Sequence, residues 1–340
     1  MFRKSVPELA VSRYREGATG VEMSENEKYL DLERGAFQKL LFELTLLIVG
    51  TLLISAAITP SLYVWIRSLW PELPWPYSRV FDRVIMVVAV ALFILRRKHF
   101  QVGQYKEQLS LHLAKPRLIP VITGFLVTFL LSLSIVPLLV AGGTLQWSEH
   151  TFGDVALRLM KVIPAALLIS LIEEVFFRFF LFRSLRQYLS FGTAAVLSST
   201  FYSVVHFIQP VKTWEFTTLE FSTGFTYLGL LVGRLSEPGF FAAAFGLFLV
   251  GMVLCATLER TRSLLPVIGL HAGWVATVKV VGKLCDAAPA FQYPVGAGRR
   301  YYLLTEEYSW LAIVLVWLVT LILFRNVRNG NSSVREQETE

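Results

Sequence analysis

Leu171-Ile172-Glu173-Glu174-Val175-Phe176-Phe177-Arg178-Phe179-Phe180 sets two carboxylates and a guanidinium in an otherwise apolar stretch. The apolar run around it covers about residues 160–182, enough to cross a hydrocarbon core of roughly 30 Å as a helix. Each ionisable group at the centre of such a helix costs roughly 2.5–3.5 kcal/mol on insertion scales, so each needs a partner. Glu174 and Arg178 are four apart with the acid toward the N-terminus, the favoured order for an ion pair on one helical face. Glu173 lies about 100° around the helix from that pair. Its partner must come from a neighbouring helix.

The rest of the chain supplies such neighbours. The sequence is 54% hydrophobic and 17% charged, with mean hydropathy +0.56, outside the balance of a soluble domain. Apolar runs at about 40–58, 78–95, 118–141, 160–182, 191–209, 239–258, 264–282 and 309–324 predict an all-α polytopic bundle of about eight transmembrane helices. No series of ten-residue alternating strands announces a barrel. A net charge of +7 and a pI near 9.4 point to no nucleic-acid partner, because the basic residues sit in short clusters beside apolar runs. Those clusters alternate. Arg3 to Lys39 precede the first run, Arg96 to Arg117 follow the second, Arg183 and Arg186 the fourth, Arg260 and Arg262 the sixth, and Arg325 and Arg328 the eighth. Trp70, Trp75, Trp147 and Trp214 lie in the intervening loops. Both termini are thus expected on the cytoplasmic side, with Arg299 and Arg300 the weakest fit.

The expected domain plan is a cytoplasmic segment 1–39 with a short amphipathic helix, a transmembrane domain 40–324 and a polar cytoplasmic tail 325–340. Ser24 and Glu27 have capping-box spacing for that first helix. A polar stretch precedes the first apolar run, so no cleavable signal peptide is expected. With no organelle signal read, a prokaryotic plasma membrane is the expected location. Cys255 and Cys285 read as packing thiols rather than a disulfide. The long connection Val211 to Pro238 contains the apolar stretch Phe225 to Val232, which fits a re-entrant or interfacial helix, or a substrate lid.

Two later runs carry polar groups that can meet Glu173. Tyr202 and His206 are one turn apart on the fifth run, and His271 lies on the seventh between Gly269 and Gly273, whose small size lets that helix approach another closely. A buried carboxyl beside an imidazole can share a proton and activate water. A second imidazole can face the oxyanion that peptide hydrolysis creates. Each residue also has a purely structural reading: a histidine can bridge helices, Glu174 and Arg178 can organise the bundle, and Tyr202 can simply pack. Glu173, His206 and His271 can also form a three-ligand zinc site, although no His-Glu-x-x-His helix is present.

These residues resemble the CAAX-protease and bacteriocin-processing (CPBP, Abi) family of intramembrane proteases over about residues 158–282. Glu173-Glu174-Val-Phe-Phe-Arg178 is similar to its Glu-Glu-x-x-x-Arg motif, Tyr202-Ser-Val-Val-His206 to its aromatic-x-x-x-His motif, and His271-Ala-Gly-Trp-Val275 to its His-x-x-x-Asn motif. Leu258 to Trp274 also looks like the family's turn between its last two core helices. The resemblance implies a glutamic-type, metal-free peptidase. On that resemblance Glu173 and His206 are expected to activate water, and His271 to polarise the scissile carbonyl. Glu174, Arg178 and Tyr202 support them. Val275 stands where the family has an amide; Thr277 and Tyr202 are the candidate substitutes.

The function expected is therefore endoproteolysis of a membrane-associated protein or peptide, near a lipidated or hydrophobic C-terminal sorting signal or a leader. A non-catalytic membrane-binding or immunity scaffold is the alternative, favoured by Val275. A transporter with an ionisable relay is a third reading, disfavoured by the lack of paired inverted repeats.

Overall fold

The computed structural model describes residues 25–98, 118–149, 151–207, 214, 216, 218–236, 239–288 and 306–324. Ser24 of the expected capping box, Arg299, Arg300 and the tail from Arg325 lie outside these. The chain divides into two units, Met1–Phe42 and Glu43–Glu340. The first contributes the opening turns of helix α1 (Glu25–Leu69); the second holds everything discussed below.

The second unit continues with α2 (Tyr77–Arg96), α3 (Leu118–Ser134), α4 (Val136–Ala141) and α5 (Phe152–Glu174). A π-helical segment, Val175–Phe182, leads to α6 (Arg183–Arg186) and α7 (Phe191–Val205). Then come α8 (Ser222–Gly233), α9 (Phe240–Thr261), α10 (Leu264–Leu284) and α11 (Glu307–Leu323). Each of the eight apolar runs falls on a helix, and the chain is an all-α membrane bundle. Among the described residues, five helical stretches are long and apolar enough to cross a bilayer: Arg34–Leu69, Leu118–Ala141, Gly153–Arg186, Phe240–Thr261 and Leu264–Leu284. Phe191–Val205 and Glu307–Leu323 are apolar but shorter, and α2 carries Arg79, Asp82 and Arg83 near its start. These five long helices coincide with the first, third, fourth, sixth and seventh of the eight expected crossings.

Helix α10 is the centre of the bundle, with buried residues along its whole length. It packs between α3 and α5. Glycine makes the first contact possible: a Cβ on Gly269 would sit 2.2 Å from the Val121 carbonyl oxygen, and one on Gly273 2.7 Å from that of Phe125. Backbones at this separation gain dispersion contacts along the seam. Gly269→Ala is therefore expected to destabilise the protein by about 1–3 kcal/mol through overpacking. Thermal unfolding in detergent measures this. The second contact is an apolar seam in which Val162 and Ala166 of α5 meet Ala272, Ala276 and Val280 of α10.

Elsewhere, α1 and α2 are joined by Arg96, whose Nε donates to Glu43 Oε2 at 2.8 Å and whose Nη2 donates to Glu43 Oε1. The segment expected as a re-entrant helix or lid contains α8. Its Gly224 abuts the Ala56 carbonyl of α1, and Tyr227 packs in an aromatic cluster with Tyr63, Tyr77, Phe81, Trp214 and Phe216. This part of the segment is docked on the α1–α2 hairpin.

A short antiparallel ribbon, β1 (Leu145–Trp147) with β2 (Cys285–Ala287), ties the end of α10 to the start of α5. The apolar periodicity carried no sign of it. Both cysteines are free and buried. Burial, reinforced by Asp286, pushes the Cys285 thiol up to about 11. Because the thiolate is the nucleophile, maleimide should leave Cys285 of the folded protein largely unmodified near pH 7, with labelling rising as the pH approaches about 11. Rapid labelling at neutral pH would contradict the assignment.

Candidate active site

The polar cluster is built from three elements: the α5–π junction, the end of α7 and the first half of α10. On α5, Val162, Ala166, Ser170 and Glu174 recur every fourth residue, so the small side chains and Glu174 share the face turned to α10. Glu174 is fully buried. At this point the helix widens into the π segment, a geometry frequent at functional sites. Ser198 of α7 donates to the Phe177 carbonyl at 3.3 Å and ties the widened turn to its neighbour.

Glu174 does more than pair along its own helix. Its Oε1 accepts from Arg178 Nη1 at 3.1 Å and lies 2.6 Å from His271 Nδ1. A carboxylate holding a guanidinium accepts only, so Nδ1 of His271 carries the proton and Nε2 faces the opposite way. The sequence pairs Glu174 with Arg178 and gives it a supporting role, but names no bond from it to His271. The small residues at 166 and 170 were the available signal that its face would meet another helix.

Arg178 is fully buried. Its guanidinium carbon lies 4.2 Å from the centre of the Tyr202 ring and 5.8 Å from that of Phe177. Aromatic faces attract a desolvated cation. Arg178 thereby holds Tyr202 as well as Glu174. The Tyr202 hydroxyl lies 3.4 Å from His271 Nε2, and its ring stands edge-on to Phe177.

Glu173 turns toward the other side, with its side chain 28% exposed. Its Oε2 is 3.5 Å from His206 Nε2 and 3.7 Å from His271 Nε2, just beyond hydrogen-bond length. His206 follows the last turn of α7, and its Nδ1 is 2.7 Å from the Tyr202 carbonyl oxygen. A carbonyl can only accept, so this nitrogen also carries its proton and directs Nε2 at Glu173. The structure thus brings together Glu173, Glu174, Arg178, Tyr202, His206 and His271, from three helices.

The two candidate substitutes for an amide at 275 part company. The Thr277 hydroxyl donates to the Gly273 carbonyl at 2.9 Å on its own helix. Val275 packs against the Val162–Ala166–Ala272–Ala276 seam. Tyr202 alone of the two reaches an imidazole. Among the described residues, no group of three His, Cys, Asp or Glu side chains is arranged to hold a metal ion.

Fold and cluster together define an integral membrane protein of helical-bundle type with a buried carboxylate–imidazole centre. Residues 155–277, which carry all three motifs, match the family model "type II CAAX prenyl endopeptidase Rce1-like". This is the family that the motifs resemble. The match supports a CAAX-type endopeptidase set in a membrane and a membrane-associated protein as its substrate. No curated protein matches the chain, and no solved structure matches it.

Proposed function

We propose that the chain is a metal-free intramembrane endopeptidase of the glutamic type, in which Glu173 and His206 activate a water and His271 faces the scissile carbonyl. The observation that carries this reading is the placement of Glu173 Oε2 at 3.5 and 3.7 Å from two imidazole nitrogens on different helices. In this reading the attacking water lies beside these atoms, within hydrogen-bond reach of the carboxylate and of an imidazole. A carboxylate–imidazole pair there takes a proton from that water as its oxygen attacks, then gives it to the leaving amine. Glu174 keeps His271 in one tautomer and orientation, the task of the buried acid in a catalytic triad. Arg178 holds Glu174 in place through the 3.1 Å bond to its Oε1.

The position of the site supports a substrate that reaches it from the basic side of the membrane. His271 lies eight residues beyond Ser263, about 12 Å along α10, and Ser263 adjoins Arg260 and Arg262. With basic loops cytoplasmic, the substrate is a protein or peptide tethered at the inner face of a prokaryotic plasma membrane, cut near a lipidated or hydrophobic C-terminal signal or leader.

The test is cleavage by the protein reconstituted into liposomes, with peptides bearing a prenylated cysteine near the C-terminus and with apolar leader peptides as separate substrates. Cleavage should persist within about twofold in the presence of a zinc chelator; loss that zinc restores would replace the water-only scheme by a metal site. A second reading, a non-catalytic scaffold, is favoured by the apolar packing of Val275. It gains the field if no peptide is cut and membrane-protein termini are identical in cells with and without the chain.

A further inference from the structure

We propose that Tyr202 is a catalytic residue, the hydroxyl that donates to the oxyanion in the position where Val275 offers no donor. The proposal rests on the hydrolytic reading above and deepens it. The argument is a proton inventory. His206 has its Nδ1 proton committed to the Tyr202 carbonyl, and His271 has its Nδ1 proton committed to Glu174. In the tautomer that these two bonds set, the Nε2 atoms turned toward Glu173 are acceptors, as is the Glu173 carboxylate itself. The Tyr202 hydroxyl, 3.4 Å from His271 Nε2, brings a proton to that same place.

Its ring is positioned as a donor requires. Tyr202 is 2% exposed, lies beneath the Arg178 guanidinium, and meets Phe177 edge-on with centroids 5.0 Å apart. Preorganised donors of this kind need no reorientation of solvent as charge develops. In the step proposed, a water oxygen forms a bond to the carbonyl carbon, and the C=O π electrons move onto the carbonyl oxygen. The water's proton passes to the Glu173–His206 pair, while the new oxyanion accepts a hydrogen bond from Tyr202. Collapse of the adduct breaks the C–N bond, and the proton held by the pair goes to the departing nitrogen. His271 Nε2 serves as the resting acceptor for the Tyr202 hydroxyl and releases it when the oxyanion forms.

The experiment compares wild type, Tyr202→Phe and Glu173→Gln in liposomes on a prenylated-cysteine peptide. It also measures binding of a phosphonate analogue of that peptide, whose oxygens stand for the oxyanion. Tyr202→Phe is expected to lower kcat about 10²–10³-fold, to leave KM within about twofold and to weaken phosphonate binding by the same factor as kcat. A merely structural role would not make the last two move apart. A kcat within about threefold of wild type, or a loss confined to KM, overturns the proposal. If Tyr202→Phe does not fold, 3,5-difluorotyrosine at 202 keeps the shape and changes the phenol's proton affinity; an unchanged pH profile of kcat then overturns it. Full activity in Glu173→Gln would instead bring down the hydrolytic reading itself.

Discussion

Glu173→Gln is expected to lower kcat by about 10²–10⁴-fold, the usual share of a general acid–base group, while the protein folds and melts as wild type does. The two halves of this expectation have separate causes. Glutamine keeps the shape of the side chain but cannot take up a proton, so in the mechanism proposed above the attacking water would lose half of the pair that activates it. Stability is spared because Glu173 is only partly buried and makes no short bond to either imidazole. Removing an incompletely paired charge from a low-dielectric site is neutral or mildly stabilising. Steady-state kinetics in liposomes and thermal unfolding of the same preparation check both. A variant that cuts at the wild-type rate would falsify the assignment of Glu173 as base. One that loses activity together with its fold would show that Glu173 holds the bundle together instead.

Glu174→Gln, one residue along, should fail differently. Glu174 and Arg178 are both fully buried, and the amide leaves Arg178 as a charge without its counter-ion. Breaking such a pair costs about 3–5 kcal/mol, so the melting temperature should fall sharply. Activity should fall too, because His271 Nδ1 loses the carboxylate that sets its tautomer. In serine-protease triads the corresponding exchange lowers kcat by about 10⁴.

The double variant Glu174→Leu/Arg178→Met separates the two effects. Replacing a whole buried ion pair by apolar groups of similar volume is often close to neutral. Most of the lost stability should therefore return, less about 1–3 kcal/mol for the unpaired His271 N–H. Catalysis should not return. A single variant as stable as wild type would remove Glu174 from the structural role, and a double variant with restored rate would remove it from the catalytic one.

Much of this was legible beforehand, for reasons that differ residue by residue. Long apolar runs announce helices in lipid because the backbone there must satisfy its own hydrogen bonds, and the runs do fall on α1–α3, α5, α7 and α9–α11. The Glu174–Arg178 pair followed from one-turn spacing. The close seam at Gly269 and Gly273 followed from residue size. By contrast, β1 and β2 are three residues each, too short to leave a periodic trace. The docking of α8 on Ala56 depends on which of several apolar helices happens to lie beside it, and hydrophobicity does not discriminate among them.

What the sequence determined by itself is the membrane environment, the helical character of its crossings and the three short motifs whose polar groups lipid would not tolerate alone. Only the tertiary structure decided how those groups are shared out: Glu174 to His271 as well as Arg178, Glu173 to the gap between two imidazoles, Thr277 back to its own helix and Tyr202 onto His271. The reason is geometric. Periodicity specifies which residues share a face of one helix. Which faces meet depends on the tilt, rotation and offset of several helices at once, and these are set by packing over the whole bundle.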